Sequence, residues 1–312
     1  MEFKHIPVML GECVEGLNIK PDGIYLDGTL GGAGHSLEIV KRLNGGRLIA
    51  VDKDGDALIH AGGRLKEFSE KITFVHDDFK NVAGNFERLG IDGLDGVLLD
   101  LGVSSYQIDN AERGFSYRDT ESKIDMRMDR TQYLTAFNVV NEYPESSLVK
   151  IFYEYGEERF AKNIAANIVE ARNKQSIRTT GELSDIITRS IPLKYRYADG
   201  NPCKRAYQAI RLEVNGELTG LGDAITGFVK RLKKGGRIAV ISFHSLEDRI
   251  AKQTFKYLES SCVCDKNMPV CTCGKKQEIK ILTKKPLTAS AGELKINGRA
   301  ESAKLRIAEK II

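Results

Sequence analysis

Through the first hundred residues, short apolar runs alternate with stretches of helical period. Gly23-Ile24-Tyr25-Leu26-Asp27 reads as a strand, and the glycine-rich Gly28-Thr29-Leu30-Gly31-Gly32-Ala33-Gly34-His35 follows it. Ser36 is placed to cap a helix that runs to about Leu43. Residues 47–52 form a second strand, roughly 54–68 a helix, 72–75 a third strand and 96–101 a fourth. Apolar strands separated by amphipathic helices predict a parallel sheet covered on both faces.

From about residue 109 the rhythm breaks. Ala136, Phe137, Val139 and Val140, then Leu148, Ile151, Phe152 and Tyr155, then Ile164, Ile168 and Ala171, recur at the spacing of a buried helix face. Thr180, three residues before Leu183, is placed to cap a further helix. No strand pattern interrupts this stretch, and about a hundred residues is too long for a loop. Residues 109–211 therefore read as an inserted all-helical domain within an α/β domain made of 1–108 and 212–312. After it, Gly235-Gly236 reads as the end of a long helix and 237–243 as a buried strand. Residues 278–282 and 303–307 complete the sheet as strands six and seven.

Charge adds a second asymmetry. The 312 residues carry a net +4, but residues 230–312 hold 19 Lys and Arg against 8 Asp and Glu, and the rest hold 28 against 35. A basic quarter suits a phosphate-bearing partner, or is simply a solvated surface, and composition allows both. No run reaches the roughly 18–20 apolar residues that cross a bilayer. The first seven residues lack the apolar core of a signal peptide. The expectation is a cytoplasmic chain with no membrane partner. Its cysteines should then be thiols or metal ligands. Four of the six, Cys262, Cys264, Cys271 and Cys273, fall as two C-x-C pairs in a polar loop. They read either as a tetrahedral zinc site or as a loop of reduced thiols.

Candidate chemistry sits at the strand ends. Open parallel sheets bind ligands at the carboxyl ends of their strands, where Asp27, Asp52 and Asp100 fall. Asp52 is placed to accept hydrogen bonds from both hydroxyls of a ribose, and Phe79, after Asp77 and Asp78, offers an apolar wall to an adenine. A dinucleotide fingerprint needs a third glycine, and Leu37 stands in its place. The run Asp-Gly-Thr-x-Gly-Gly-Ala-Gly is closer to the acidic-glycine loop of methyltransferases, whose ligand is a cationic sulfonium amino acid. The bland alternative is a tight turn with helix-capping aspartates. Asp100, with Ser104 or Ser105 assisting, is placed to accept the N–H of an exocyclic base amine; the serines read equally as helix caps. His244 reads as a structural residue of the turn after strand five.

Longer motifs point further. His5-Ile6-Pro7-Val8-Met9-Leu10, the glycine loop through Ser36, Asp100-Leu101-Gly102-Val103-Ser104-Ser105 with Gln107-Ile108-Asp109, and Glu112-Arg113-Gly114-Phe115-Ser116 form one series. Asp125-Met126-Arg127-Met128-Asp129, Tyr155-Gly156-Glu157-Glu158-Arg159, Ser242-Phe243-His244-Ser245-Leu246-Glu247-Asp248-Arg249 and Ser302-Ala303-Lys304-Leu305-Arg306 continue it. From His5 to about Lys310 the chain resembles the RsmH/MraW family of bacterial 16S ribosomal RNA cytosine-N4 methyltransferases. The resemblance implies a Rossmann-like class I sheet that binds S-adenosylmethionine (AdoMet), with an inserted helical domain. It implies transfer of a methyl group to N4 of a cytidine in the P-site region of small-subunit ribosomal RNA, as naked RNA or in the assembled subunit. The residues implied at the cofactor are Ala33, Gly34, His35, Asp52, Phe79, Asp100 and Gln107, and the catalytic residue implied is Asp100. Two runs depart from the family pattern, Asn201-Pro202-Cys203-Lys204-Arg205-Ala206-Tyr207-Gln208 and Asn297-Gly298-Arg299-Ala300-Glu301. Three rivals stay open at this stage: an NAD(P)-linked oxidoreductase, an inactive RNA-binding assembly factor on the AdoMet fold, and an AdoMet enzyme acting on DNA or a protein amine.

Overall fold

The apolar runs assemble into one seven-stranded sheet in the order β3-β2-β1-β4-β5-β7-β6. Its strands are β1 (Ile24–Asp27), β2 (Arg47–Asp52), β3 (Ile72–His76), β4 (Leu94–Asp100), β5 (Leu232–Ser242), β6 (Ile279–Ile281) and β7 (Lys304–Lys310). The computed structural model describes residues 6–82, 86, 90–198, 200–265 and 270–312; His5 of the opening motif lies outside them. Strands β1 to β5 run parallel, and β7 pairs antiparallel with both β5 and β6. Strand order reverses direction between β1 and β4, so a crevice opens beyond their carboxyl ends. This is the Rossmann-like α/β sheet expected from the sequence, with a reversed last strand that no local pattern announces.

Two apolar layers sandwich the sheet. One gathers Leu26, Val51, Phe86, Leu99, Phe228, Val240 and Phe255, and the other Tyr25, Leu48, Leu98, Ile241 and Leu305. A strand such as β4, buried along nearly its whole length, has little room for polar side chains. The chain divides into two compact units, residues 1–102 with 220–312, and residues 103–219. The second unit is helical, with helices Ala136–Glu142, Glu145–Glu154, Ala161–Lys174, Thr180–Ser190 and Lys204–Asn215. They bury Val139, Phe152, Ile164, Ile168, Leu183 and Ile210, whereas Phe137, Tyr155 and Ala171, which the helical period also selects, are only half-buried. Its family-like Asp125-to-Asp129 run is held from within the unit. Arg127 clamps Asp125 through two nitrogens at 2.9 and 2.8 Å, and the Asn215 amide donates to Met126 O.

Several local expectations shift. Ser36 is not a cap: the helix begins two residues earlier at Gly34, behind Ala33 in the left-handed conformation, and ends at Val40. The cap of the 180–190 helix is Thr179, whose hydroxyl accepts from Glu182 N–H in a capping box. Gly235-Gly236 does not end a helix. The preceding helix stops at Arg231, and both glycines lie inside β5, where the register with β4 shifts. The helix predicted over 54–68 stops at Arg64 and continues as a tighter turn over Lys66–Lys71.

Glycine matters most where the turn before β2 crosses the chain entering β1. A Cβ on Gly46 would strike the Gly23 carbonyl and lie 2.9 Å from Pro21 O, and neither backbone atom can retreat. Gly62, inside the Gly55–Arg64 helix, has open space around it. Gly46→Ala is expected to lose about 1–3 kcal/mol and Gly62→Ala to gain ~0.5–1 kcal/mol. Denaturant midpoints of the two variants check this, and the opposite ordering would contradict the turn geometry.

Candidate active site

At the carboxyl ends of β1, β2 and β4 the structure gathers Asp27, Asp52 and Asp100. Asp27 is fully buried, accepting Thr29 N–H at 3.1 Å and the Ser36 hydroxyl at 2.7 Å. Burial nonetheless pushes its carboxyl up to about 6. Asp52 accepts Gly31 N–H at 2.8 Å and Asp54 N–H at 2.9 Å, and burial raises it likewise to about 6. Asp100 is tethered by its own backbone, whose N–H donates to Thr29 Oγ1 at 2.6 Å. About a fifth of its side chain remains open at 21% exposure. Its Oδ1 is nevertheless fully covered and has no hydrogen-bond partner among the described residues. Burial first, then the charges of Asp27 and Glu247, hold the Asp100 carboxyl well above the usual range.

The glycine loop is shaped around these carboxylates. Gly31 and Ala33 both take positive φ, at 46° and 59°, and so turn the chain into the Gly34–Val40 helix. Gly34 has no room for a side chain, since a Cβ would come within 2.5 Å of Pro7 Cγ. His35, one residue on, is buried, with Nε2 3.0 Å from Val8 O. A carbonyl only accepts, so Nε2 carries the proton to it. Nδ1 then faces Asp100 Oδ2 at 3.6 Å. Phe79 opens the short Phe79–Val82 helix beyond β3, its Cβ 3.1 Å from where a Cβ on Gly28 would lie.

Of the residues expected at the site, the sheet unit thus places Asp52 and Asp100 at the carboxyl ends of β2 and β4, and Ala33, Gly34, His35 and Phe79 in the turns and helix starts beyond β1 and β3. Gln107 belongs to the helical unit. There Ser104 caps the Ser105–Asp109 helix, and Gln107 closes the capping box by accepting Ser104 N–H at 2.9 Å. Two contributors escaped the sequence reading. Thr29 ties Asp100 to the loop. Glu247, almost fully buried, accepts Phe243 N–H at 2.9 Å and adds negative charge near Asp100. The available signal was its place three residues after His244, whose Nδ1 accepts Glu247 N–H at 3.4 Å at the start of the Ser245–Glu259 helix. His244 therefore does the structural work expected of it.

The donor set discriminates between ligand classes. Phosphate cradles need free backbone N–H groups, yet four in this loop are already used. Thr29 and Gly31 donate to Asp27 and Asp52, and Leu30 and Ala33 to Val51 O and Leu30 O. A pyrophosphate would also meet carboxylates. A cationic ligand would relieve their negative charge, and the open part of the Asp100 side chain leaves room for one. A sulfonium amino acid with a ribose and an adenine fits these residues better than a nicotinamide dinucleotide.

Comparison with known proteins agrees. The MraW methylase family matches residues 2–311. The chain is 52% identical to ribosomal RNA small subunit methyltransferase H 2 of Agathobacter rectalis over 99% of both chains. It is 53% identical to ribosomal RNA small subunit methyltransferase H of Lachnospira eligens, over 100% of this chain and 99% of that one. The protein of that name from Clostridioides difficile is 50% identical over the full length of both. Among solved structures, an rRNA methylase from Streptococcus thermophilus superposes with a TM-score of 0.43 at 11% identity, covering 98% of this chain and 99% of that one. With half of its residues shared along its whole length, the chain belongs to the MraW methylase family.

Proposed function

We propose that this chain transfers a methyl group from AdoMet to N4 of a cytidine in 16S ribosomal RNA, acting in the cytoplasm on that RNA either naked or in the assembled small subunit. The carrying observation is the carboxylate cluster at the strand ends, with Asp100 Oδ1 unpartnered in its midst. Family membership supports the reaction class and the RNA substrate; an exocyclic amine as acceptor rests on the chemistry of Asp100, and cytosine N4 on the resemblance of the motifs to the family.

AdoMet supplies a methyl group already activated by a positive sulfur. The protein's residues supply alignment, which recovers on the order of 7–11 kcal/mol in well-oriented reactions. Asp52 accepts from the ribose hydroxyls, Phe79 packs beside the adenine, and Ala33, Gly34 and His35 shape the floor of the loop. Asp100 accepts an N–H of the exocyclic amine. That contact draws electron density onto N4, whose lone pair is otherwise delocalised into the ring. A bound sulfonium donor would pass its methyl carbon to N4 with the carbon–sulfur electron pair staying on sulfur, and the extra N4 proton would pass to Asp100 or to solvent. The target base must be unstacked to reach a strand-end crevice, and the net positive charge of residues 230–312 is suited to the phosphates.

The raised carboxyls make binding depend on pH. Without ligand, Asp27 and Asp52 hold protons up to about 6, and burial raises the Asp100 carboxyl well above the usual range as well. A bound cation favours their ionised forms, so binding expels protons. Affinity should therefore tighten as pH rises from 5 to 7, by up to about tenfold per unit for each proton released. Titration calorimetry in buffers of different ionisation enthalpy counts those protons. A Kd and heat independent of pH and buffer would remove the cationic ligand. Labelled-methyl transfer to small subunits, with DNA and bulk protein as competing acceptors, tests the substrate class. Label appearing only in DNA or protein would overturn it.

A further inference from the structure

We infer that Cys262, Cys264, Cys271 and Cys273 form a structural zinc site that folds the loop between the Ser245–Glu259 helix and β6, apart from the carboxylate site. All four sulfurs lie within 4.8 Å of one another. Sγ–Sγ separations are 3.5 Å for Cys262–Cys271, 3.9 Å for Cys264–Cys271, 3.6 Å for Cys271–Cys273 and 3.8 Å for Cys262–Cys273. A tetrahedron with Zn–S bonds of about 2.3 Å has edges of about 3.8 Å, so the sulfurs already stand near the corners that zinc requires. A disulfide would need ~2.05 Å.

The surroundings support metal over packing as the cause of this convergence. Described residues between Ser260 and Glu278 form no helix or strand, and Val263 and Val270 are 50% and 68% exposed. No apolar core gathers the thiols, and three of them are exposed with the fourth half-buried. Backbone groups instead address the sulfurs: Cys264 N–H donates to Cys262 Sγ at 3.4 Å, and Val263 N–H to Cys273 Sγ at 3.5 Å. Such bonds stabilise thiolates and orient them as ligands. Four thiolates around a divalent ion leave two negative charges, and Lys275 and Lys276 follow directly in the chain. The Lys275 ammonium sits 4.4 Å from the centre of the Tyr257 ring, on the last turns of the preceding helix. All-thiolate tetrahedral sites suit zinc or iron. Exposed thiols on a surface loop favour the redox-inert ion.

The test is elemental analysis of the full chain, purified under reducing conditions and supplied with zinc. Roughly one zinc per chain is expected, and almost none in the Cys271→Ser/Cys273→Ser variant, with AdoMet affinity in that variant unchanged within about twofold. Cobalt(II) titrated into metal-stripped wild type should give the visible bands of a tetrahedral site and near-ultraviolet sulfur-to-cobalt charge transfer, a readout that does not require the variant to fold. Chelation should speed proteolysis within 260–278. The inference fails if wild type takes up no zinc, if iron is found in its place, if the double variant retains the metal, or if the intact mass lacks two hydrogens per bridged cysteine pair. Methyl transfer enters none of these readouts, so the zinc site and the proposed reaction stand or fall separately.

Discussion

Asp100→Asn is expected to lower kcat by about 10²–10³-fold while weakening AdoMet less than about tenfold and raising the melting temperature of the ligand-free protein. The three effects share one cause. The wild-type carboxyl is covered, lacks a partner at Oδ1, and stands near Asp27 and Glu247, so the fold bears the cost of ionising it. An amide of nearly the same shape removes that charge. A gain of about 1–2 kcal/mol is in the range of such replacements. The sign with pH follows. The folded-state pKa is raised, so the cost is complete above that value and fades as pH falls through it, and the advantage of Asn should shrink in acid. The lost turnover comes from the reaction: an amide accepts from N4–H far more weakly than a carboxylate. Steady-state kinetics on small subunits, calorimetry with AdoMet and thermal unfolding check the three effects together. Equal losses of affinity and turnover would remove the acceptor role.

Asp52→Ala is expected to weaken AdoMet about 10²–10³-fold, with kcat at saturating AdoMet nearly unchanged. The side chain does two jobs at once. It accepts Gly31 N–H and Asp54 N–H, which sets the glycine loop, and it is the proposed acceptor for the ribose hydroxyls. Hydrogen bonds to a charged partner contribute ~1.5–3 kcal/mol each, so losing the ribose pair alone accounts for the expected change. Asp52→Glu keeps the charge one methylene further out and should recover part of the affinity. Direct titration separates the outcomes: a large fall in kcat with an unchanged Kd would move Asp52 from binding into the reaction.

The sheet was legible because its strands are short apolar runs with little room for polar side chains, and the strand-end position of the aspartates followed from that. The helical unit was legible from the 3.6-residue recurrence of positions such as Ile164 and Ile168. Helix starts were less so. Ser36 has the chemistry of a cap, but the left-handed turn at Ala33 starts the helix earlier and frees its hydroxyl for Asp27. Thr179 and Thr180 are chemically alike, and only the reciprocal bond with Glu182 selects between them. Gly235-Gly236 has the composition of a helix end and serves as a strand irregularity instead, because pairing with β4 outweighs local propensity. At the site, Thr29 and Glu247 act across 71 and 147 residues of sequence to reach Asp100, a separation that no motif encodes. The two C-x-C pairs left zinc and free thiols equally open until the sulfurs were seen to converge.

The most direct test uses small ribosomal subunits from cells lacking this protein, incubated with the purified chain and methyl-labelled AdoMet, after which the RNA is digested to nucleosides. The account predicts label in N4-methylcytidine at a single position of 16S ribosomal RNA, and none with Asp100→Asn on the same timescale. Label in another nucleoside, or none in RNA while AdoMet binds normally, would contradict it.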